Sequence, residues 1–395
     1  MNRRSFLITA SSLTLMQLLA GCHRTSNALV QVRLLENSVP LQILREFQRR
    51  VESAQNINVL ASGQLAELFD LLQTWQQADP ETNGSAQPQP AADLITLGDF
   101  WLAAAIQQGL IQPLSLDEIP GWEALAEQEL WQTLVRRDRQ GQPSDTGELW
   151  AAPYRWGTLM IAYRRDRFEE HGIPAPTDWR DLWQPALERR ISLPDHPRAV
   201  IGLTLKQLGE SANTADLSTV ANLSSDLEAL HRQTRFYSSD AYLQPLILGD
   251  TWATVGWSTE ILPLAERNPK IVAVAPASGT ILTADLWVRP AVEPAVQSVQ
   301  ETTPAGIPDR SNLLNEWIGF FWQPPIANQL SLLSFAASPV LVGTDRTQLP
   351  AALTNTPLLP SDEILEASEF LLPLDESATA QYQAEWVRVR RSGSD

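Results

Sequence analysis

Two residue types stand out for the chemistry they could do: tryptophan, with 14 copies, and cysteine, with one, Cys22. Tryptophan presents a broad face on which flat groups stack and over which cations sit. A single thiol excludes disulfides and cysteine-based metal clusters in the folded body. Four histidines and three methionines argue against a metal site rich in either. No Gly-x-Ser-x-Gly, His-Glu-x-x-His or phosphate-cradling glycine loop occurs in the chain. The one cysteine lies at the terminus, away from any site a folded body would build, so a cysteine nucleophile is closed as well. The residues therefore offer none of these catalytic constellations, and no enzyme activity, cofactor or metal is expected. A formal charge of -17 makes a poor partner for nucleic acid and is repelled by anionic lipid.

Cys22 gains its meaning from what precedes it. Arg3 and Arg4 are followed by Phe6-Leu7-Ile8 and an apolar, Ser/Thr-diluted run to Leu19. A basic start, an apolar middle and small residues before a cut are the parts of a secretory signal. The run is short for a bilayer span. Leu19-Ala20-Gly21-Cys22 resembles the bacterial lipobox, in which the cysteine is acylated and becomes the mature N-terminus. Asn2 to Leu7 resembles, in part, a twin-arginine export signal, with Ile8 where a basic residue is usual. The expectation is a signal peptide over 1–21, a lipidated tether over 22–28, and membrane contact through the lipid on Cys22. Loss of the leader removes two arginines and no acids, taking the charge to about -19.

The elements that must position any site follow from periodicity. Residues 29–35 alternate as a strand, and 40–51 carry Leu41, Leu44 and Phe47 at helical spacing. Residues 57–60 read as a second strand, and 63–77 as a helix with Leu65, Leu68, Leu72 and Trp75 on one side. Strand and helix in alternation predict an α/β fold with a parallel sheet. Residues 79–92 hold Pro80, Asn83, Gly84, Pro88 and Pro90 and read as a loop insertion. Residues 93–97 resume as a buried strand, followed by a helix over 100–108 that Gly109 closes. Residues 297–311 and 343–361 read as loops, with helices over 312–322 and 326–335 between them.

The segment Ala152-Pro153-Tyr154-Arg155-Trp156-Gly157-Thr158-Leu159-Met160-Ile161-Ala162-Tyr163 resembles the first crossover of bacterial ABC-transporter solute-binding proteins. The nearest branch is the spermidine/putrescine-binding family. Pro176-Thr177-Asp178-Trp179-Arg180-Asp181-Leu182-Trp183, Gly249-Asp250 to Trp257, and Asn315 to Phe321 follow in the order that family keeps. The resemblance implies a two-lobe periplasmic binding protein fold, type II-like. Each lobe would be a mostly parallel sheet flanked by helices, joined by crossing hinge strands. It places lobe 1 at 29–152 and 284–330 and lobe 2 at 153–283 and 331–395. A ligand would sit in the interlobe cleft, and hinge closure would present it to an ABC permease of the inner membrane.

On the same resemblance, Phe100 and Trp101 stand for an aromatic pair at a strand end, and Trp257 for a ring that stacks on the ligand. Asp285 stands for a carboxylate that pairs with a ligand ammonium, and Tyr154 and Trp156 lie in the crossover. The sequence departs from the pattern elsewhere. Leu35 and Ser38 replace two aromatics, and Thr283 replaces a tryptophan. His196 and Ala199 stand where an Asp and a Glu would hold the amine, with Asp195 as a neighbouring substitute. A diamine needs a carboxylate at each end, because an unpaired buried charge is expensive. The reading is a monomeric, lipid-anchored periplasmic binder of a polyamine or related cation. Ferric iron, another small polar or anionic ligand, or an envelope protein that kept the fold without transport stand as alternatives.

Overall fold

A computed structural model describes residues 30–77, 91–291, 310–354 and 356–392. The signal, the tether, and most of the loops expected at 79–92 and 297–311 lie outside these residues. Strand β1 (Val30–Leu35) buries Val30, Val32 and Leu34 by alternation. It pairs in parallel with β2 (Ile57–Ser62) on one side and β3 (Leu94–Gly98) on the other. Parallel neighbours need crossovers. Helices α1 (Leu41–Arg50) and α2 (Leu65–Gln77) supply them. In α1 the buried pair is Ile43 and Phe47, one turn apart, while Leu41 is turned to solvent. Phe47 decides this: its ring meets Trp317 and Phe320 edge-on at 5.0 Å each.

The element that organises the rest is β4 (Ala152–Arg164), thirteen residues long and buried throughout. Four further strands complete the second half of the sheet: β5 (Ile191–Pro194), β6 (Thr234–Ser238), β7 (Ala253–Trp257) and β8 (Ile271–Val274). The last long strand, β9 (Ile281–Pro290), returns beside β3 and β4. The N-terminal part of β4 pairs antiparallel with β9, from Ala152 opposite Trp287 to Thr158 opposite Leu282. Its C-terminal part pairs with β7 on one side, from Leu159 opposite Trp257 to Tyr163 opposite Ala253. On the other side β8 runs along Ile161–Arg164. One half-sheet is thus β2-β1-β3-β9-β4, the other β4-β7-β5-β6, and β4 belongs to both.

Two apolar cores follow from the two half-sheets. The first gathers Phe47, Tyr154, Trp287, Trp317, Phe320 and Phe321. The second gathers Trp179, Leu193, Val200, Val255 and Tyr382. After residue 330 the chain packs first against the first core. Ala337, Leu341, Leu353, Leu358 and Phe370 all join the first core. Two backbone hydrogen bonds of 2.8 Å between Trp156 and Ala337 hold that segment there. Within it, the loop expected over 343–361 contains the short helical turns Arg346–Gln348 and Ala351–Thr354. Leu371, Leu374 and the last helix, Glu376–Arg391, return to the second core, the helix through Tyr382, Trp386 and Val389.

Gly157 marks the change of half-sheet on β4. A Cβ there would stand 2.5 Å from Oγ of Ser258. Ser258 is the first residue of the helix Ser258–Arg267, and its Oγ accepts a hydrogen bond from the Thr158 amide at 3.0 Å. Gly157→Ala should therefore force this helix off the strand and cost about 1–3 kcal/mol, the usual range for overpacking. Urea unfolding would show a lower midpoint with an unchanged slope. An unchanged midpoint would mean that the close approach does not constrain this position.

Candidate ligand-binding site

In an open parallel sheet, the C-terminal strand ends are where ligands bind. In the first half-sheet, β3 ends at Gly98 and runs directly into Asp99, Phe100 and Trp101. Phe100 is 48% exposed and leans on Trp101, with ring centroids 4.2 Å apart. Trp101 stacks flat on Phe69 at 5.4 Å, so one of its faces is already used. Asp285 on β9 lies opposite Gly98 and opposite Arg155 on β4. The Arg155 guanidinium donates from Nε to Asp285 Oδ2 at 2.5 Å. Both side chains are largely buried, at 8% and 12% exposure. Burial works against the Arg155 charge, and Asp285 outweighs it, which leaves the guanidinium above its ordinary range.

Asp99 and Arg155 are the two residues here that the sequence reading did not name. Asp99 Oδ1 accepts hydrogen bonds from the Thr283 hydroxyl at 2.8 Å and the Ala284 amide at 3.0 Å, latching β9 to the end of β3. Burial, with the nearby Asp285 charge adding to it, pushes the Asp99 carboxyl from 3.8 up to about 7. The signal for Arg155 was present: a lone arginine inside an otherwise apolar strand needs an acidic partner. Asp99 gave no such signal, since an acid before two aromatics looks the same on a surface.

The second half-sheet offers its own strand ends. β5 ends at Pro194, and the exposed Asp195 follows, its amide bonded to Ser238 O at 3.0 Å. His196 is the N-cap of the helix Pro197–Gln207: its Nδ1 accepts from the Ala199 amide at 3.2 Å. Burial and the Arg198 charge hold the His196 imidazole below its ordinary range, so it serves as a neutral cap. Arg198 itself braces the interior, donating to Leu372 O at 3.1 Å and Asn213 Oδ1 at 3.0 Å. Trp257 ends β7, half-buried. Its amide donates to the Tyr242 hydroxyl at 3.4 Å, and that hydroxyl donates to Glu260.

The candidate residues thus form two groups: Phe100, Trp101 and Asp285 on one side, and Asp195, His196 and Trp257 on the other. Asp285 is level with Arg155, and Trp257 with Leu159. Four residues of strand separate these levels by roughly 13 Å. Tyr154 and Trp156 join neither group. The β4–β9 ladder shifts register beside Tyr154, and both rings are fully enclosed, with no surface left to a ligand. Tyr154 stacks on Trp287 at 4.2 Å, and its hydroxyl lies 3.2 Å from Thr96 Oγ1. Trp156 meets Trp131 edge-on at 6.2 Å and donates from Nε1 to Ser338 O at 3.3 Å. These two rings pack as part of the first core. A groove of about 870 Å³ lies elsewhere, bordered by Val51, Asn56, Pro120, Asn312, Phe320 and Trp322, and contains none of the candidate residues. Among the described residues, no group of three or more His, Cys, Asp or Glu stands together as a metal site.

The Asp99 environment predicts a pH dependence. In the unfolded chain Asp99 ionises near 3.8, and in the fold near 7. Between those values the folded state keeps a proton that the unfolded state has lost. The stability Asp99 contributes is thus fully present below about pH 4 and is lost as the pH rises through about 7. Asp99→Asn keeps the acceptor oxygen without the charge. Urea unfolding at both ends of this window should show the variant losing less stability than the parent. Equal losses would exclude Asp99 as the source.

A family model for bacterial extracellular solute-binding protein matches residues 89–363, well over half of the chain. The spermidine/putrescine-binding periplasmic protein of Salmonella typhimurium is 24% identical over 201 residues, which cover 51% of this chain and 54% of that protein. The putrescine/cadaverine-binding protein of Pseudomonas aeruginosa is 27% identical over 154 residues, covering 36% of this chain and 43% of the relative. This chain thus spans about half the length of the curated relatives it matches. Among solved structures, a spermidine/putrescine ABC transporter substrate-binding protein from Streptococcus pneumoniae superposes with a TM-score of 0.72 at 20% identity. That match covers 91% of this chain and 98% of the other, and it establishes the two-lobe periplasmic binding protein fold. With its crossing strand and paired half-sheets, the chain belongs to the bacterial extracellular solute-binding protein family.

Proposed function

We propose that this protein captures a small organic amine of the polyamine kind between its two half-sheets and delivers it to an ABC importer. The observation that carries this reading is the placement of Trp257 and Asp195 at the strand ends of one half-sheet, with Phe100, Trp101 and Asp285 at those of the other. Aromatic faces and carboxylates are what an alkylammonium requires. The names of the relatives agree in ligand class. No observation favours ferric iron or a catalytic role. Closure would be a hinge motion about β4, with 331–365 moving with the first lobe and Glu369 tied to Lys206, Ser211, Ala212 and Asn213 of the second.

The test is the melting temperature of a soluble form beginning after Cys22, with and without putrescine and spermidine. A ligand that binds only the folded state adds about 2.7 kcal/mol at a hundredfold excess over Kd. A polyamine should raise the melting temperature, and Trp257→Ala should remove most of the shift. Silence with every polyamine tried would sink the ligand class.

The same reading places the protein on the periplasmic side as a monomer, held to the membrane by a lipid on Cys22. No helix of the described residues is long and apolar enough to cross a membrane. In the full chain, Cys22→Ser should move the protein from the membrane fraction to the soluble fraction after export. A protein that still sediments with membranes would exclude the lipid as its anchor.

A further inference from the structure

Two acids stand on the first-lobe side of the crossing, and protein donors already occupy both. Asp285 is bound by Arg155, and Asp99 by Thr283 and Ala284. Among the described residues, the exposed Asp195 on the second-lobe side has no ion pair with a side-chain cation. The carboxylates that could meet a cationic ligand are therefore unequal. We infer that Arg155 is a specificity-determining residue: it takes the place of a ligand cation on Asp285, so the site favours an amine whose far end is uncharged or anionic over a diamine.

The inference rests on the solute-binding reading above and departs from its ligand class: a diamine still enters the site, but binds more weakly than an amine with a single cationic end. An ammonium arriving at Asp285 would have to displace a guanidinium already bonded at 2.5 Å, or else lie beside it as a like charge. Either outcome is costly where both groups are largely out of water. Arg155 cannot relieve the conflict by losing its proton, since an arginine in a protein stays charged. Its bond to Asp285 is made through Nε, so the Nη donors of the same fork are not spent on that carboxylate. The guanidinium also meets the Tyr154 hydroxyl, and an Nη donor beyond that contact is suited to an acceptor oxygen of a ligand. A ligand with one amine end and one carboxylate or apolar end would bring its amine to Asp195 and the Trp257 face and set its other end against the Arg155–Asp285 pair.

Three four-carbon probes isolate the charge of the far end: putrescine with an ammonium, 4-aminobutanoate with a carboxylate, and butylamine with a methyl. Titration calorimetry on the wild type should give weaker binding for putrescine than for at least one of the other two. Arg155→Met releases Asp285 and should raise putrescine affinity about tenfold or more, within the range of close charge pairs. Adding Asp285→Asn should abolish that gain. Should Arg155→Met fail to fold, Arg155→Gln makes the same test with a polar side chain of similar reach. Wild-type protein that binds putrescine tighter than both other probes, with no gain in the folded variant, overturns the role of Arg155 and leaves solute binding standing. Folded wild type and variant that ignore all three probes overturn both.

Discussion

The structure depends on one shared strand. Because β4 is paired with β9 along its first part and with β7 and β8 along its second, the two half-sheets cannot be assembled independently. At the crossing the chain places charge where apolar packing would be ordinary. Arg155 and Asp285 face each other across the ladder, and removing either partner would strand the other without water. Asp99 repeats the device one strand over, spending its carboxylate on the backbone and hydroxyl of β9. Beside this polar lattice, Gly157 gives up its side chain so that the helix beginning at Ser258 can reach β4.

The aromatic residues divide by the same geometry. Rings along the middle of β4 and β9, such as Tyr154, Trp156 and Trp287, are buried in the first core. Rings at strand ends, such as Phe100 and Trp257, keep part of their surface. An abundance of tryptophan therefore reports chiefly on packing, and only a strand-end position makes a ring available to a ligand. His196 shows the same for a polar group: its place at a helix start commits it to capping.

Folds of this kind persist at identities of 20% or so, since two cores and a shared strand ask only for apolar alternation and a few close approaches. The ligand is set by a handful of side chains at the strand ends, and those can change without disturbing either core. Replacement of an aromatic or acidic side chain there, with the cores intact, is how one architecture serves different solutes.

Much of this was legible in the sequence. Alternation over 29–35 and 93–97, the helical spacing of Leu68, Leu72 and Trp75, and the run 152–163 gave the α/β class and the crossing strand, because local periodicity is written in neighbouring residues. The family motifs added the two-lobe arrangement. What remained hidden were facts about residues distant in the chain. That Arg155 meets Asp285 across 130 positions, that Asp99 grips Thr283, and that residues 331–370 pack with the first core are products of register and long-range burial. So was the enclosure of Tyr154 and Trp156: the sequence placed them on the right strand, but only the packing of Trp287, Phe321 and Ser338 decided that both were enclosed. Composition and periodicity determine which elements form, whereas the partner of a buried charge is chosen only when the strands that carry it are brought side by side.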